Sequence, residues 1–369
     1  MRKIAVFSVN AQYKIGGAES CIKVMVDHLS SSYDVTVISG SRSVYEGHEK
    51  HQYQNIETIQ LFHSKHLNYF GNFVNFFLIR RHFRDNDYDL VIGNCSTCLG
   101  ALISTINKNR KCIYYVHEEF SLNKNPKYNP PKTIIQKIRR ITGLFLDWPF
   151  FYFHCIQNNK ALMRSSAVIA NSKFIEKELK KQNRISPFVI YPFTETDVPE
   201  AISGSFEEKY LTMVGNAKVK GVETFISLSR LMPEQKFRII DRTLKSSHQE
   251  GNILYCPLFH DIEELYGSTS ILLAPSIWNE AFGKVSVEAG ARGVVPIVAN
   301  RGGLPETVCS SDLVVEDYLN ASEWKKRIEA ILPNIHEWRK KSRLHAKKFN
   351  AKIDKANISS LVEKIFDEK

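Results

Sequence analysis

The chain has 369 residues, 43% of them hydrophobic and 24% charged. That is too long for one core and ordinary for a globular protein, so two domains are expected and disordered or fibrous classes are excluded. No apolar run is long enough to span a bilayer, Met1 to Asn10 lacks the apolar centre of a signal peptide, and seven cysteines show no paired framework, all of which predict a cytoplasmic protein. The net charge of +11 implies an anionic partner, and the absence of any nucleic-acid motif argues against DNA or RNA.

Lys3 to Val9 alternates toward a buried strand, and Gly16 and Gly17 precede a helix with Ile22, Met25, Val26 and Leu29 at i, i+3, i+4 and i+7. Three spaced glycines are missing, so this is not a dinucleotide fingerprint, but two adjacent glycines let the backbone approach a ligand. Asp34 to Ser39, Ile56 to Phe62, Tyr88 to Asn94 and Lys111 to Val116 read as further strands. Strands alternating with helices predict a parallel, doubly wound sheet whose ligands sit beyond the carboxyl ends of strands, and His117 falls at such an end. Cys95 and Cys98 form a lone C-x-x-C with no second pair, which reads as buried free thiols.

Residues 118–131 are polar and rich in Pro and Asn, hence a loop long enough to be functional or mobile. Lys132 to Arg164 reads as a helix in which a basic patch, Lys137, Arg139 and Arg140, precedes an aromatic centre, Phe145 to Phe153. Tyr69 to Arg84 has a similar mixture. Such segments suit a lipid interface, although aromatic residues at helical spacing equally build a core. After strands at Ala167 to Asn171 and Phe188 to Pro192, the polar stretch Phe193 to Ser205 reads as a linker.

A second series begins with a strand at Tyr210 to Gly215, a loop carrying Lys218, Lys220 and Gly221, and a helix at Val222 to Met232. Strands follow at Phe237 to Asp241, Ile253 to Pro257 and Ile271 to Ala274. Pro275, Ser276 and Asn279 then form a loop that carries Glu280, and Gly283 opens a helix from Lys284 to Arg292. The first backbone NH groups of that helix have no partner within it, and its dipole favours negative charge, so its start suits phosphate. Glu288 projects from the same helix, and a carboxylate accepts from two adjacent hydroxyls at once. Pro296 to Asn300 is the next strand, Arg301 to Leu304 a second tight loop, and Ala321 to Lys369 a run of helices.

Glu280 and Glu288 with seven residues between them, Ala281, Phe282 and Gly283, the PIVA strand and the GGLPE loop together resemble the nucleotide-sugar signature of retaining GT-B glycosyltransferases of family 4. Gly16 to Glu19 (GGAE), His117-Glu118, ANSKF at Ala170 to Phe174 and Lys220-Gly221 are similar to the same family's motifs. The resemblance covers nearly the whole chain and is densest in its second half. It implies an α/β protein of two Rossmann-like, doubly wound parallel-sheet domains facing a central cleft. Residues 1–195 would bind the acceptor, 206–350 the nucleotide-sugar, and 351–369 would pack back on the first domain. His117, Glu280 and Lys220 are then the expected catalytic residues. Gly16, Gly17, Gly215, Asn216, Lys218, Ala281, Phe282, Gly283 and Glu288 are the expected donor contacts, with Glu288 on the ribose, Glu280 on the transferred sugar and Lys220 on the diphosphate. Asn216 stands where the family usually has Arg, which makes Lys218 the expected second cation.

The implied activity is retaining, metal-independent transfer from a nucleotide-diphospho-sugar to a glycan or lipid-linked acceptor, in bacterial cell-envelope polysaccharide synthesis, with no cofactor. The positive charge adds an expected peripheral contact with the anionic inner face of the cytoplasmic membrane. A glycoside hydrolase is disfavoured, since eight residues of helix span ~12 Å where retaining hydrolases hold their carboxyls about 5 Å apart. A GT-B nucleotide-sugar epimerase and a non-catalytic nucleotide-sugar-binding subunit stay open.

Overall fold

The computed structural model describes residues 1–14, 16–41, 49–62, 68–94, 111–117, 134–199, 209–259 and 261–368, with backbone alone for 41, 68 and 134–145. Cys95, Cys98, the loop 118–131 and the side chains of Lys137, Arg139 and Arg140 therefore lie outside the described residues. The other five cysteines, Cys21, Cys112, Cys155, Cys256 and Cys309, are free thiols. The chain forms two compact units, one of residues 1–171, 175–190 and 355–369, the other of 172–174 and 191–354.

Among the described residues the first unit is built on seven strands, β1 (Lys3–Ser8), β2 (Asp34–Ser41), β3 (Ile56–Gln60), β4 (Leu90–Gly93), β5 (Lys111–Val116), β6 (Ala167–Ala170) and β7 (Phe188–Val189). They lie in the order β3-β2-β1-β4-β5-β6-β7, all parallel. Ile4 to Phe7, Leu90 to Ile92 and Cys112 to Val116 are fully buried, the continuous apolar pattern of strands covered on both faces. The last strand is shorter than the sequence suggests: it pairs with β6 only at Ile169↔Phe188 and Ala170↔Val189, because β6 ends there.

Helices α1 (Gly17–Leu29), α2 (Asn68–Asp85), α3 (Ile134–Arg164) and α4 (Lys173–Asn183) connect these strands. The buried face of α1 is Cys21, Ile22, Met25, Val26 and Leu29, as its spacing requires. The two aromatic stretches lie on α2 and α3, and much of their apolar surface is mutual. Phe73 sets its ring 5.2 Å from Phe150 and 5.0 Å from Phe153, while Phe70 meets Phe150 at 5.1 Å. The buried carboxylate of Asp147 accepts the backbone NH groups of Tyr69 (3.0 Å) and Phe70 (2.8 Å), so α3 caps the start of α2.

The second unit carries β8 (Tyr210–Val214), β9 (Phe237–Ile240), β10 (His248–Glu250), β11 (Ile253–Cys256), β12 (Thr269–Ala274), β13 (Val295–Ala299) and β14 (Val314–Val315). Their order is β10-β11-β9-β8-β12-β13-β14, parallel except for the β10-β11 hairpin. All three residues of β10 are exposed and polar, so periodicity does not reveal it. Helices α5 (Val222–Leu231), α6 (Ile262–Gly267), α7 (Lys284–Ala291), α8 (Ala321–Ile331) and α9 (Ile335–Ala346) pack with this sheet, and α10 (Ala351–Asp367) completes the chain. The segment after Ile190 is packed rather than free: Phe193 and Thr194 are buried, Ala351 N donates to Thr194 O (2.9 Å), and Arg343 reaches Val198 O (2.8 Å). From Lys355 onward α10 belongs to the first unit, where Ile358, Leu361, Val362 and Ile365 are buried and Ser359 bonds His28 (2.8 Å).

Candidate functional site

Strand order in the second sheet reverses around β8 and β12, and ligands of doubly wound sheets sit outside the carboxyl ends of strands at such a point. The loops leaving these two strands are fitted to each other by glycine. Gly221 adopts φ +82°, and a Cβ there would lie 1.8 Å from Pro275 O, so the loop carrying Lys220 presses directly on the loop carrying Glu280. Ile277 N donates to Val219 O (2.9 Å) across the same contact. This brings the Lys220 ammonium onto the Glu280 carboxylate and 5.3 Å from the Trp278 ring centroid. Ser276 Oγ donates to the same Glu280 oxygen at 2.7 Å.

The backbone of Glu280 is held as firmly. Gly302, at φ +60°, has a Cβ direction that ends 2.1 Å from Glu280 O, and Gly303 one that ends 2.4 Å from Ala281 O. Gly303 N donates to Glu280 O (2.7 Å), so the paired glycines are the surface on which Glu280 and Ala281 rest. Glu306, at the end of this loop, instead accepts from Lys173 N (3.1 Å), Phe174 N (3.5 Å) and Tyr191 OH (3.5 Å), with burial raising its carboxyl above the ordinary value. Phe282 is buried against Tyr191 (5.3 Å) and Phe349 (5.2 Å), so it anchors the loop.

Gly283 opens α7 at φ +109°, with Leu304 Cδ2 2.5 Å from where a Cβ would be, and no side chain caps the first turn. A basic residue occupies that turn: Lys284 Nζ lies 3.4 Å from Glu288 Oε1. Tyr266 OH lies between two acceptors, Val285 O at 3.3 Å and Glu288 Oε2 at 3.4 Å, and has one hydrogen for them. Neither Lys284 nor Tyr266 stood out in the sequence. The available signal was the i, i+4 spacing of Lys284 and Glu288; Tyr266 comes from another element and had none.

Gly215 leaves β8 at φ +100°, and Asn216 Nδ2 donates to Asp241 Oδ2 (3.1 Å) at the end of the adjoining strand. Lys218 is not brought to Glu280: its side chain is 78% exposed and pairs with Glu223 at 2.6 Å. Gly16, Gly17 and His117 belong to the first unit. There Gly16 precedes α1, and Ser20 N donates to its carbonyl (3.2 Å). His117 lies just past β5, its ring 3.9 Å from Tyr115 and its carbonyl accepting from Asn171 Nδ2 (3.2 Å). Its Nε2 is sealed without a partner among the described residues, and burial pushes the imidazole down to about 3, so the ring is neutral at pH 7. Asp85-Asn86-Asp87 and Asp87-Tyr88-Asp89 each spell an Asp-x-Asp pair, but both precede the amino end of β4, away from the carboxyl ends of the strands. Among the described residues no cluster of three His, Cys, Asp or Glu could hold a metal ion.

Residues 15–198 match the family described as Glycosyltransferase Family 4, and residues 200–349 match Glycosyl transferases group 1. Among curated proteins, the match to spore coat protein SA of Bacillus subtilis (strain 168) is 32% identical over 74 residues and covers 20% of either chain. An uncharacterized 42.6 kDa protein in the cps region of Klebsiella pneumoniae is 23% identical over 345 residues, covering 83% of this chain and 87% of that one. Solved structures that share the fold include the following two. Sucrose-phosphate synthase from Thermosynechococcus elongatus superposes with TM-score 0.77 at 17% identity, covering 100% of both chains. Anabaena Alr3699/HepE in complex with UDP and glucose superposes with TM-score 0.69 at 16% identity, covering 98% of this chain and 100% of that one.

Proposed function

The chain belongs to the group 1 glycosyltransferases of family 4 and has the GT-B fold, and on that premise we propose that it transfers a sugar, with retention and without a metal, from a nucleotide-diphospho-sugar to a glycan or lipid-linked acceptor. The observation that carries the reading is the meeting of Lys220, Ser276 and Glu280 at the strand ends beside the uncapped start of α7. Lys220 and the α7 NH groups direct positive charge where a diphosphate leaving group gathers negative charge. Donors preset toward those oxygens stabilise the transition state more than the ground state. Glu280 is assigned to the hydroxyls of the transferred sugar, Glu288 to the ribose, and His117 to the first unit's acceptor side, where its neutral ring offers a hydrogen bond without a charge.

Bacterial cell-envelope polysaccharide synthesis is the proposed setting, which the relative in the Klebsiella cps region supports. A lipid-linked acceptor calls for contact with an anionic membrane. The outward residues of α2 and α3 suit it: Phe77 and Leu78 are exposed beside Arg80 and Arg81, and Trp148 and Tyr152 are more than half exposed. No described helix is long and apolar enough to cross a membrane.

A thermal-shift screen against UDP, GDP, dTDP and ADP, free and with their sugars, tests the donor, since a ligand that binds the native state raises the melting temperature. One nucleotide series should stabilise the protein, and product should then form only with acceptor present and equally with EDTA. Product formed without acceptor would mean an epimerase, and binding without any product a non-catalytic subunit.

A further inference from the structure

We propose that the exposed face of α9, in the second unit, docks on an anionic lipid surface. Residues 335–348 carry six Lys and Arg against one Glu, a net +5 of the chain's +11. Lys340 and Leu344 recur at i and i+4, directly opposite the buried Ser342 and Ala346, and Lys348 continues their column in the 3-10 turn that follows. Lys341 and Lys347 flank it, and all four lysines are exposed. Leu344, in their midst, is 70% exposed. Among the described residues no carboxylate pairs with any of the four. Lys341 Nζ instead stands 4.8 Å from the Trp338 ring centroid, and Lys348 Nζ lies 3.4 Å from His345 Nδ1.

Helix stability accounts for part of this charge only. Cations in the last turn suit the helix dipole, which covers Arg343 and the lysines just beyond, but Lys340 and Lys341 lie in the middle of α9. There the like charges of Arg339 and Arg343, four residues apart, and of Lys340 and Arg343, three apart, repel. Solubility explains exposed lysines but not a leucine set among them. Cations held at headgroup level around an apolar side chain that enters the acyl boundary are the composition of a helix lying on a bilayer. A soluble polyanion would satisfy the lysines and leave Leu344 in water. The opposite face is packed on the donor loop's own helix: a Cβ on Gly290 of α7 would lie 3.2 Å from Ser342 O, and Ala346 and Phe349 share a buried cluster with Phe282, Val287 and Ala291. Docking through α9 therefore fixes the donor-binding unit against the bilayer. That consequence rests on the reading of a lipid-linked acceptor; the docking itself does not, nor does it need α2 and α3, which belong to the first unit.

Sedimentation of the full chain with phosphatidylcholine vesicles, with and without phosphatidylglycerol, tests this. Dextran sulfate serves as the soluble polyanion, and Arg80→Glu with Arg81→Glu as the reference for the first unit's face. Lys340→Gln with Lys341→Gln should lower partitioning to anionic vesicles about 25-fold at low salt, at about fivefold per lysine. Leu344→Ser should lower it about 10-fold. Both losses should persist when Arg80 and Arg81 are reversed. Melting temperatures establish that each variant is folded, and the exposure of all three side chains makes wild-type values the expected result. Unchanged partitioning in both α9 variants would overturn the docking face, and a loss confined to the Arg80 and Arg81 reversal would then leave α2 and α3 as the contact. Lysine loss that weakens vesicle and dextran sulfate binding alike, with Leu344→Ser without effect, would overturn lipid in favour of a soluble polyanion. Failure of the wild-type chain to sediment with anionic vesicles would overturn both docking faces and leave the donor reading untouched.

Discussion

Lys220 and Lys218 share one loop and one side-chain type, yet they occupy opposite environments. Lys220 is two-thirds buried and paired with Glu280, whose carboxylate Ser276 also bonds, whereas Lys218 is solvated beside Glu223. An exposed ion pair is worth ~0 to 1 kcal/mol, while a hydrogen bond to a charged partner is worth ~1.5 to 3. Lys220→Ala should therefore weaken nucleotide diphosphate binding by about 10-fold or more, and Lys218→Ala should change it less than about threefold, as read by calorimetry. The sequence supplied both lysines but not this difference, because exposure depends on which loop packs beneath. A second residue-scale prediction concerns Asp354. Its Oδ1 accepts from Tyr191 N (2.9 Å), Oδ2 has no partner among the described residues, and burial raises the carboxyl to about 7, above the ordinary 3.8. The native state then holds a proton that the unfolded chain releases, so this contribution is complete below pH 3.8 and is lost as pH rises through 7. Asp354→Asn keeps the acceptor and removes the charge. Its melting temperature should exceed wild type at pH 8 and approach it near pH 4; a difference that does not vary with pH would contradict the buried charge.

At the scale of elements, the strand-helix alternation, the facing loops and the carboxyl-end placement of Glu280 were legible because apolar period and glycine punctuation are local signals. The β10-β11 hairpin was not, and neither was the packing of Phe193 and Thr194, which depends on the distant residues Asn350 and Ala351. The function of the GGLPE loop becomes concrete in the structure as a backbone surface for Glu280. Gly302→Ala puts a methyl 2.1 Å from Glu280 O at a positive φ. It should therefore cut transfer at least 100-fold by moving Glu280, while far-ultraviolet circular dichroism stays that of wild type, because Trp324, Phe225 and Phe237 build the core from other elements. Full activity in this variant would mean that Glu280 does not depend on the glycine pair.

For the whole molecule, composition indicated an anionic partner but could not divide the aromatic residues of α2 and α3 between interior and surface. Phe70, Phe73 and Phe150 pack on one another, whereas Phe77, Trp148 and Tyr152 face outward. Each basic residue at an anionic surface is worth ~1 kcal/mol and is screened by salt. Sedimentation with liposomes should rise with anionic lipid and fall at high salt, and Arg80→Glu with Arg81→Glu should reduce it in a folded protein; unchanged sedimentation would remove this face as the docking surface. The central claim is that two glutamates on adjoining elements divide the donor between them. The measurement that tests it most directly is the affinity for free nucleotide of Glu280→Ala and Glu288→Ala, set beside their transfer rates. Glu288→Ala should lose nucleotide affinity by ~1.5 to 3 kcal/mol, while Glu280→Ala should bind free nucleotide like wild type and fail to transfer the sugar. Equal loss of nucleotide affinity in both variants would contradict the account.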